Sequence, residues 1–249
     1  VAVARAWLAK GDLDKARALA LEEVRIEPAN KQAVLILAAV ETKKNNLPAA
    51  VELLEKAIAL DPTYTQARTK LGEVYEQMGR DEEALAQYMK VVEIAPLSPL
   101  EFNNIGNIHR KRRQLDKAME ACREALRCDA RYIGAYNNLG LCLQEKGEID
   151  EARRLYEKAL AIRPENPVLR NSMGTLIALT GDKKGALAEF ERAVSSDPNW
   201  PVAQNNLAAL LMDQGRYPEG HAAFEKLVQL EPESIEARLG LGLACLIVQ

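Results

Sequence analysis

Asparagines stand out among the residues of this sequence whose chemistry suits binding. They recur about every 34 positions, at Asn103, Asn104, Asn107, Asn137, Asn138, Asn171, Asn205 and Asn206. Each carboxamide offers both donors and an acceptor, which suits the main chain of an extended polypeptide. Asparagine is a mediocre interior helix residue, because its amide competes with the backbone for hydrogen bonds. The set is therefore either a row of binding amides or a row of hydrogen bonds between neighbouring structural units.

A run of basic residues is the main charge anomaly. Arg110, Lys111, Arg112 and Arg113 lie in a segment, 99–132, with eight basic and five acidic residues, whereas the chain has a net charge of −3. Charge-assisted hydrogen bonds from this run would hold an acidic peptide segment or a phosphate. The alternative is a solvated helix end, where cations interact favourably with the helix dipole.

The residue types that catalysis needs are sparse. The two histidines, His109 and His221, have no cysteine, carboxylate or histidine at metal-ligand spacing, and for His109 a packing role is favoured. Phosphate-binding loops and nucleophile elbows are absent from the sequence. We therefore predict no catalytic residue, no metal, no cofactor and no enzyme activity in this segment.

Composition excludes other classes. Hydrophobic residues make up 48% and charged residues 28% of the 249 positions, which is typical of soluble globular proteins. Aromatic residues, at 5%, are too sparse for base stacking, and a single basic segment does not form the continuous basic surface that nucleic-acid binding needs. No apolar run reaches the roughly 20 residues of a membrane span. The four cysteines lack a CxxC pair and a disulfide-like spacing, which favours a reduced, cytoplasmic setting.

Several features recur with a period of 34 residues. Prolines stand at Pro28, Pro62, Pro96, Pro164, Pro198 and Pro232, with Ala130 in the one missing place. Small residues form a column at Ala16, Ala50, Ala84, Ala118, Ala152, Ala186 and Gly220. A second small column comprises Ala38, Gly72, Gly106, Gly140, Gly174, Ala208 and Gly242. Such a period predicts a repeat architecture.

Each period reads as two helices. In the third, helical spacing marks one face through Leu71, Val74, Tyr75 and Met78. Gly79 then ends the first helix, since glycine accepts the left-handed conformation of a C-terminal cap, and Pro96 ends the second. Gly72 and Ala84 remove side-chain bulk where the two helices cross, so that the backbones can approach closely.

These residues resemble the tetratricopeptide repeat family. The segment 135–164 matches the family pattern at Tyr136, Leu139, Gly140, Gly147, Ala152, Tyr156, Ala159 and Pro164. The resemblance implies an all-α fold, an α-α superhelix (right-handed solenoid) of about seven helix-turn-helix repeats over residues 1–249. We divide it into a partial repeat at 1–30, repeats at 31–64, 65–98, 99–132, 133–166, 167–200 and 201–234, and a terminal helix at 235–249.

Departures from the family pattern fall mainly in the fourth repeat. It has His109, Arg113, Cys122 and Ala130 in place of the pattern's tyrosine, turn glycine, aromatic and proline. Glu41 replaces the tyrosine of the second repeat, and Lys183 replaces an apolar residue of the sixth. We expect looser packing or a local adjustment at these places, most of all in the fourth repeat.

The resemblance implies a concave groove lined by the first helix of each repeat. Its fifth position gives Leu35, Thr69, Asn103, Asn137, Asn171 and Asn205, and its sixth gives Ile36, Lys70, Asn104, Asn138, Ser172 and Asn206. The ninth position gives Ala39, Glu73, Asn107, Leu141, Thr175 and Ala209, while Arg110 and Lys111 take positions 12 and 13. We predict peptide binding by the groove asparagines together with Lys70, Arg110 and Lys111; family consensus is the alternative origin of the asparagines.

Two family precedents sharpen this prediction. The column Asn104, Asn138 and Asn206 resembles the asparagine ladder of O-linked N-acetylglucosamine transferases, which holds extended peptides, although Lys70 and Ser172 interrupt it. The second precedent is the carboxylate clamp of chaperone-binding members, which needs several cations.

The clamp does not fit this sequence. Asn107 and Asn138 match its asparagines, but Asn103, Val168 and Ser172 occupy the places of its basic residues. Without those cations a carboxylate is poorly held.

Both ends of the chain are apolar, at Val1, Val3 and Trp7 and again at 243–248. A terminal repeat normally presents a polar outer face, so we expect a longer parent chain or, less favoured, a partner molecule at these ends.

The function that the sequence supports best is a protein–protein interaction scaffold that binds an extended partner segment along its concave face. We expect the site where the repeats 99–132 and 133–166 meet. The alternatives are a substrate-recruiting arm of a larger enzyme such as a glycosyltransferase, and a module that self-associates through its apolar terminal helices.

Overall fold

The chain is built from helices throughout the part that the structure describes. The computed structural model covers residues 1–248, with side chains for residues 1–247. Those residues form fifteen α-helices: α1 (Ala2–Ala9), α2 (Leu13–Ile26), α3 (Lys31–Lys43), α4 (Leu47–Leu60), α5 (Thr65–Gln77), α6 (Asp81–Ile94), α7 (Pro99–Lys111), α8 (Leu115–Cys128), α9 (Ile133–Glu145), α10 (Ile149–Ile162), α11 (Pro167–Leu179), α12 (Lys183–Ser196), α13 (Pro201–Asp213), α14 (Tyr217–Leu230) and α15 (Ile235–Val248).

The helices group into two compact units, Val1–Cys128 with α1–α8 and Asp129–Gln249 with α9–α15. Within each unit every odd-numbered helix packs against the even-numbered helix that follows it, and α15 packs against α14. Odd-numbered helices also contact one another, as α1 does with α3 and α11 with α13. This is the stacking of helical hairpins that the 34-residue period predicts.

A left-handed residue ends the first helix of each hairpin. Glycine fills this place five times, with φ between 71° and 85°, at Gly11, Gly79, Gly147, Gly181 and Gly215. Asn45 and Arg113 adopt φ 59° at the equivalent turns. The fourth repeat therefore keeps the turn geometry without glycine, and Arg113 carries the strain of a left-handed residue with a Cβ.

Small residues set the distance between paired helices. A Cβ added to Gly72 would lie 2.5 Å from Cε1 of Tyr88, and one added to Gly174 would lie 2.7 Å from Cδ1 of Phe190. The ring of the second helix thus rests directly on the glycine of the first. In the fourth repeat the Cys122 Sγ takes the place of the ring, 2.8 Å from a Cβ built on Gly106.

Several linkers between hairpins are tied to the helix that follows. Side chains at the fourth helical position donate to the backbone carbonyl six residues earlier, as in Arg68 Nη2 to Pro62 O at 2.9 Å and Arg170 Nε to Pro164 O at 2.8 Å. The fourth repeat has Phe102 at this position, which cannot donate. Its linker lacks this side-chain contact.

At Glu41 the departure from the family pattern takes the form of a local adjustment and not of looser packing. Glu41 is 6% exposed, and it accepts hydrogen bonds from Arg17 Nε at 2.7 Å and Asn46 Nδ2 at 2.9 Å. The hydrogen bond from Arg17 is the main cause that lowers the pKa of Glu41. A carboxylate replaces the tyrosine here. It is tolerated in a buried position because Arg17 and Asn46 bind it.

Candidate functional site

The first unit carries a groove of about 450 Å³ between α1, α3, α5 and α7. Its apolar lining includes Leu8, Leu35, Ile36, Ala39 and Leu100. Its polar lining includes Arg5, Thr65, Gln66, Thr69, Lys70, Glu73 and Glu101. We call this surface the α1–α7 groove.

Helical periodicity explains which side chains reach the groove. On α3, Leu35, Ile36 and Ala39 occupy the fifth, sixth and ninth positions, and neighbours three or four residues apart share a helix face. The same positions of α5 contribute Thr69, Lys70 and Glu73 in the next repeat. Of the predicted binding residues, Lys70 lines the groove.

Internal hydrogen bonds fix the polar wall of the α1–α7 groove. Thr69 Oγ1 donates to Glu101 Oε1 at 2.6 Å, and both residues are less than one tenth exposed. Lys70 Nζ forms an ion pair with Glu73 Oε2 at 2.6 Å. Both carboxylates of this wall are therefore already partnered.

A smaller depression of about 160 Å³ continues the groove along α3. It shares Ala39, Lys70 and Glu73 with the larger one and adds Thr42 and Lys43. Arg5 and Lys43 are exposed and have no ion pair among residues 1–248. The free charges of the groove are therefore positive.

The asparagines of the second unit join neighbouring repeats. Ser172 Oγ donates to Asn137 Oδ1 at 2.7 Å, and Asn206 Nδ2 donates to Asn171 Oδ1 at 2.8 Å. Asn171 is only 8% exposed. Hydrogen bonds between repeats, the alternative to binding amides, thus occupy one group of each of these side chains.

The remaining asparagines are dispersed. Asn103, Asn104 and Asn107 lie half-buried on α7 and do not line the α1–α7 groove. Asn138 is half-buried on α9. Asn205 lines a depression of about 140 Å³ in the second unit, beside residues of α14 and α15.

The basic run is partly neutralised by the preceding repeat. Lys111 Nζ lies 2.9 Å from Glu76 Oε2, and Arg112 forms an ion pair with Glu82. Glu76 also accepts a hydrogen bond from the Tyr88 hydroxyl at 2.8 Å, and burial raises the pKa of Tyr88. Lys111 is therefore tied to a structural contact in the first unit.

The two histidines lie in different settings. His109 is half-buried, and its Nδ1 lies 2.7 Å from Gln114 Oε1 in its own turn. His221 Nε2 lies 3.2 Å from Cys245 Sγ, and its Nδ1 lies 3.7 Å from Glu225. The sequence did not indicate the His221–Cys245 contact, because 24 residues separate the two.

Neither a metal site nor a membrane span occurs among the described residues. Among them, no group of three histidine, cysteine or acidic side chains could hold a metal ion. None of the helices in this part of the chain is long and apolar enough to cross a membrane.

The last helix presents apolar side chains to solvent. Leu239, Leu243 and Leu246 of α15 are each more than 60% exposed. Of the apolar C-terminal residues that the sequence predicts at the surface, Leu243, Leu246 and Ile247 are exposed and Ala244 is buried, while the side chain of Val248 and all of Gln249 lie outside the described residues.

The binding roles predicted from the sequence fall on amides and cations, and none falls on the apolar floor of the groove. Leu35, Ile36 and Ala39 were placed at groove positions without a role. Three apolar residues on a helix face that should be solvated are the signal that could have identified them.

Family models match most of the chain. Models described as tetratricopeptide repeat match residues 65–96, 102–165, 145–211 and 205–247, and one described as TPR repeat matches 39–79. A sequence search among curated proteins gives no significant match.

Solved structures share the fold at low identity. A tetratricopeptide repeat protein from Parabacteroides merdae is 17% identical with a TM-score of 0.81, over 97% of this chain and 96% of that one. The APC/C hetero-tetramer Cut9–Hcn1 gives 14% identity and a TM-score of 0.77 over 97% of this chain, which spans 48% of the matched one. YrrB, described as a TPR protein with an unusual peptide-binding site, gives 20% identity and 0.53, over 74% and 95%.

The chain belongs to the tetratricopeptide repeat family, and its fold is an all-α superhelical repeat. Proteins of this family are in general non-catalytic scaffolds for protein–protein interaction.

Proposed function

We propose that this tetratricopeptide repeat protein is an interaction scaffold that holds an extended segment of a partner protein in the α1–α7 groove. The observation that carries the proposal is the groove itself, open to solvent and floored by Leu35, Ile36 and Ala39. A volume of about 450 Å³ accommodates several side chains of a bound segment.

The groove suits a segment with alternating chemistry. An apolar side chain of the partner would cover the floor, which removes apolar surface from water. The polar wall of Thr69, Lys70 and Glu73 is fixed by its own hydrogen bonds, so binding orders few protein side chains. Peptide binding and assembly with other chains are also what the descriptions of YrrB and Cut9–Hcn1 state for those proteins.

The partner segment carries acidic residues in this proposal. Arg5 and Lys43 stand at the groove without ion-pair partners among the described residues, whereas Lys111 and Arg112 are paired with carboxylates. Carboxylates flanking the apolar anchor would pair with the two free cations. Affinity should then fall as salt rises, because exposed charges are screened.

The asparagines have a second role in this proposal. Asn137 uses its Oδ1 toward Ser172, which leaves its amide N–H groups for a partner backbone, and Asn206 uses one amide proton toward Asn171. Asn138 holds the same helical position as Asn206 within the second unit. Replacing Asn138 by alanine should weaken partner binding to the second unit at an unchanged melting temperature; a large loss of stability would show that Asn138 is structural.

Peptide selection tests the proposal. A library of random twelve-residue peptides is selected on the intact chain, and the affinity of the recovered peptides is measured by calorimetry. We expect recovered sequences to combine apolar and acidic residues. Leu35→Glu should weaken their binding at least tenfold, because it places a charge on the apolar floor.

The matched control is Leu97→Glu, since Leu97 is 82% exposed and lies outside the groove. It should bind the same peptides with unchanged affinity. Equal affinities for the two variants, or peptides without acidic residues, would contradict the proposed site or its charge preference respectively.

A further inference from the structure

A second depression opens in the first unit, between α6, α7 and α8. Its volume is about 350 Å³, and its floor comprises Met89, Val92, Phe102, Ile105 and Ala121. Its rim comprises His109, Lys117, Glu120 and Glu124. This α6–α8 cleft shares no lining residue with the α1–α7 groove.

In two other repeats an arginine crosses the equivalent space. In the third repeat, Arg68 Nη1 reaches Gln87 Oε1 at 3.2 Å. In the sixth, Arg170 Nη1 reaches Glu189 Oε2 at 2.8 Å, and both side chains are less than 15% exposed. Each arginine thus spans the space between the two helices of its hairpin.

The fourth repeat lacks this arginine and its acceptor. The equivalent positions hold Phe102 and Ala121, which cannot form the hydrogen bond. The third repeat also fills this region with Tyr75, whose hydroxyl donates to Glu55 at 3.3 Å, whereas His109 turns to Gln114. The α6–α8 cleft therefore lies where the third and sixth repeats place an arginine side chain.

The lining of the cleft retains the chemistry that an arginine needs. Met89, 49% exposed, and Val92 offer apolar surface for the aliphatic stem, and Phe102 offers a ring for the guanidinium. Glu124 is paired with Arg127, but Glu120 has neither a hydrogen bond nor an ion pair among residues 1–248. A free carboxylate thus stands at the mouth of an apolar cleft.

We propose that the α6–α8 cleft binds an arginine side chain presented by a partner protein. The guanidinium pairs with the Glu120 carboxylate, and the stem covers the apolar floor. Lys117 lies one helical turn from Glu120 on α8 and opposes the incoming charge. This interaction surface is independent of the proposed function of the α1–α7 groove.

Methyl NMR of the intact chain tests the proposal. The five methionines give one methyl signal each, and Met89 is the one in the cleft. The probe is acetyl-Gly-Arg-Gly-amide at millimolar concentration, compared with the citrulline peptide, a neutral isostere, and with the leucine and tryptophan peptides. The arginine peptide should shift the Met89 signal saturably, while Met173 and Met212 of the second unit stay unchanged.

Variants separate charge from shape. Glu120→Gln, on an exposed residue, should weaken the arginine peptide about three- to tenfold, as loss of one charge-assisted hydrogen bond does. Lys117→Ala should strengthen it about twofold. The double variant Phe102→Arg with Ala121→Gln rebuilds the contact of the third repeat and should abolish binding.

Several results would overturn the proposal. These are an unshifted Met89 signal with the arginine peptide, an equal or larger shift with the citrulline, leucine or tryptophan peptide, and an affinity that Glu120→Gln leaves unchanged. Peptides that bind the α1–α7 groove should be unaffected by Glu120→Gln, so failure at one surface is distinguishable from failure at the other.

Discussion

The third and fourth repeats have helices of the same lengths and the same left-handed turn, but different side chains pack between their two helices. In the third, Tyr88 is fully buried over Gly72, Arg68 is bonded to Gln87, and glycine ends the first helix. In the fourth, Cys122 and Phe102 take the places of Tyr88 and Arg68, and Arg113 takes the left-handed place of that glycine.

The comparison shows what a repeat needs and what it can exchange. The small residues where helices cross and the left-handed turn are present in both repeats, so they maintain the hairpin. The ring and the arginine that fill the hairpin differ, and the fourth repeat has an open cleft in their place. The fourth repeat therefore has a distinct surface, the cleft, because it lacks the ring and the arginine that fill the third repeat.

The largest expected difference lies in the buried side chain that covers the helix crossing. Tyr88→Ala should lower the free energy of unfolding by about 4 kcal/mol, because it empties a large core volume. Cys122→Ala removes one sulfur atom and should cost about 1 kcal/mol. Urea unfolding followed by circular dichroism measures both, and equal losses would contradict the unequal filling of the two repeats.

The glycines beneath these side chains should rank in the same order. Gly72→Ala pushes a Cβ into the buried Tyr88 ring and should cost about 2–3 kcal/mol. Gly106→Ala meets the Cys122 sulfur, which can change rotamer, and the Ala118 backbone oxygen at 3.1 Å, which needs to shift only slightly; it should cost about 1 kcal/mol. Thermal melts compare the two variants; a Gly106→Ala loss as large as that of Gly72→Ala would show that the fourth repeat is packed as tightly as the third.

Exchange of the turn residues should give effects of opposite sign. Arg113→Gly should stabilise the chain by about 1 kcal/mol, because glycine adopts φ 59° without steric cost. Gly79→Arg, at φ 71°, should destabilise it by a similar amount. The melting temperature of Arg113→Gly should rise, and that of Gly79→Arg should fall by a similar amount. Two shifts of the same sign would indicate that the Arg113 side chain outweighs the backbone strain.

The linkers that flank the third repeat should differ in their response to acid. Lys31 and Thr63 lower the pKa of Asp61 from 3.8 to about 2, whereas Ala95 holds the equivalent place in the next linker. Because the folded pKa is lowered, this contribution to stability is complete above pH 3.8 and is lost as the pH falls to about 2. Asp61→Ala should flatten the decline of the urea midpoint between pH 4 and pH 2; an unchanged slope would contradict the assignment.

Much of the fold could be predicted from the sequence. The turn glycines, the small residues at the helix crossings and the prolines after the second helices all recur with the same 34-residue period. The first helices α3, α5, α7, α9, α11, α13 and α15 begin at the first residue of each predicted repeat. The turn at Arg113 is preserved because the helices on either side hold one strained residue in the left-handed conformation.

The site was less accessible to sequence reasoning. Spacing identified which positions face the groove, but it could not show that Asn137 and Asn171 are bonded to Ser172 and Asn206. Nor could it show that Lys111 is bonded to Glu76, 35 residues earlier. Both pairings depend on how far one helix is shifted along its neighbour in the stack. The amino-acid sequence alone does not give this shift.

Photo-crosslinking shows directly whether a partner segment lies in the α1–α7 groove. A library-selected peptide carries a photoreactive benzoylphenylalanine at its central apolar position, and the labelled residues are identified by mass spectrometry. We expect labels on α3 and α5, around Leu35–Ala39 and Gln66–Glu73. Saturable labelling confined to α6 and α8, or to the second unit, would contradict it.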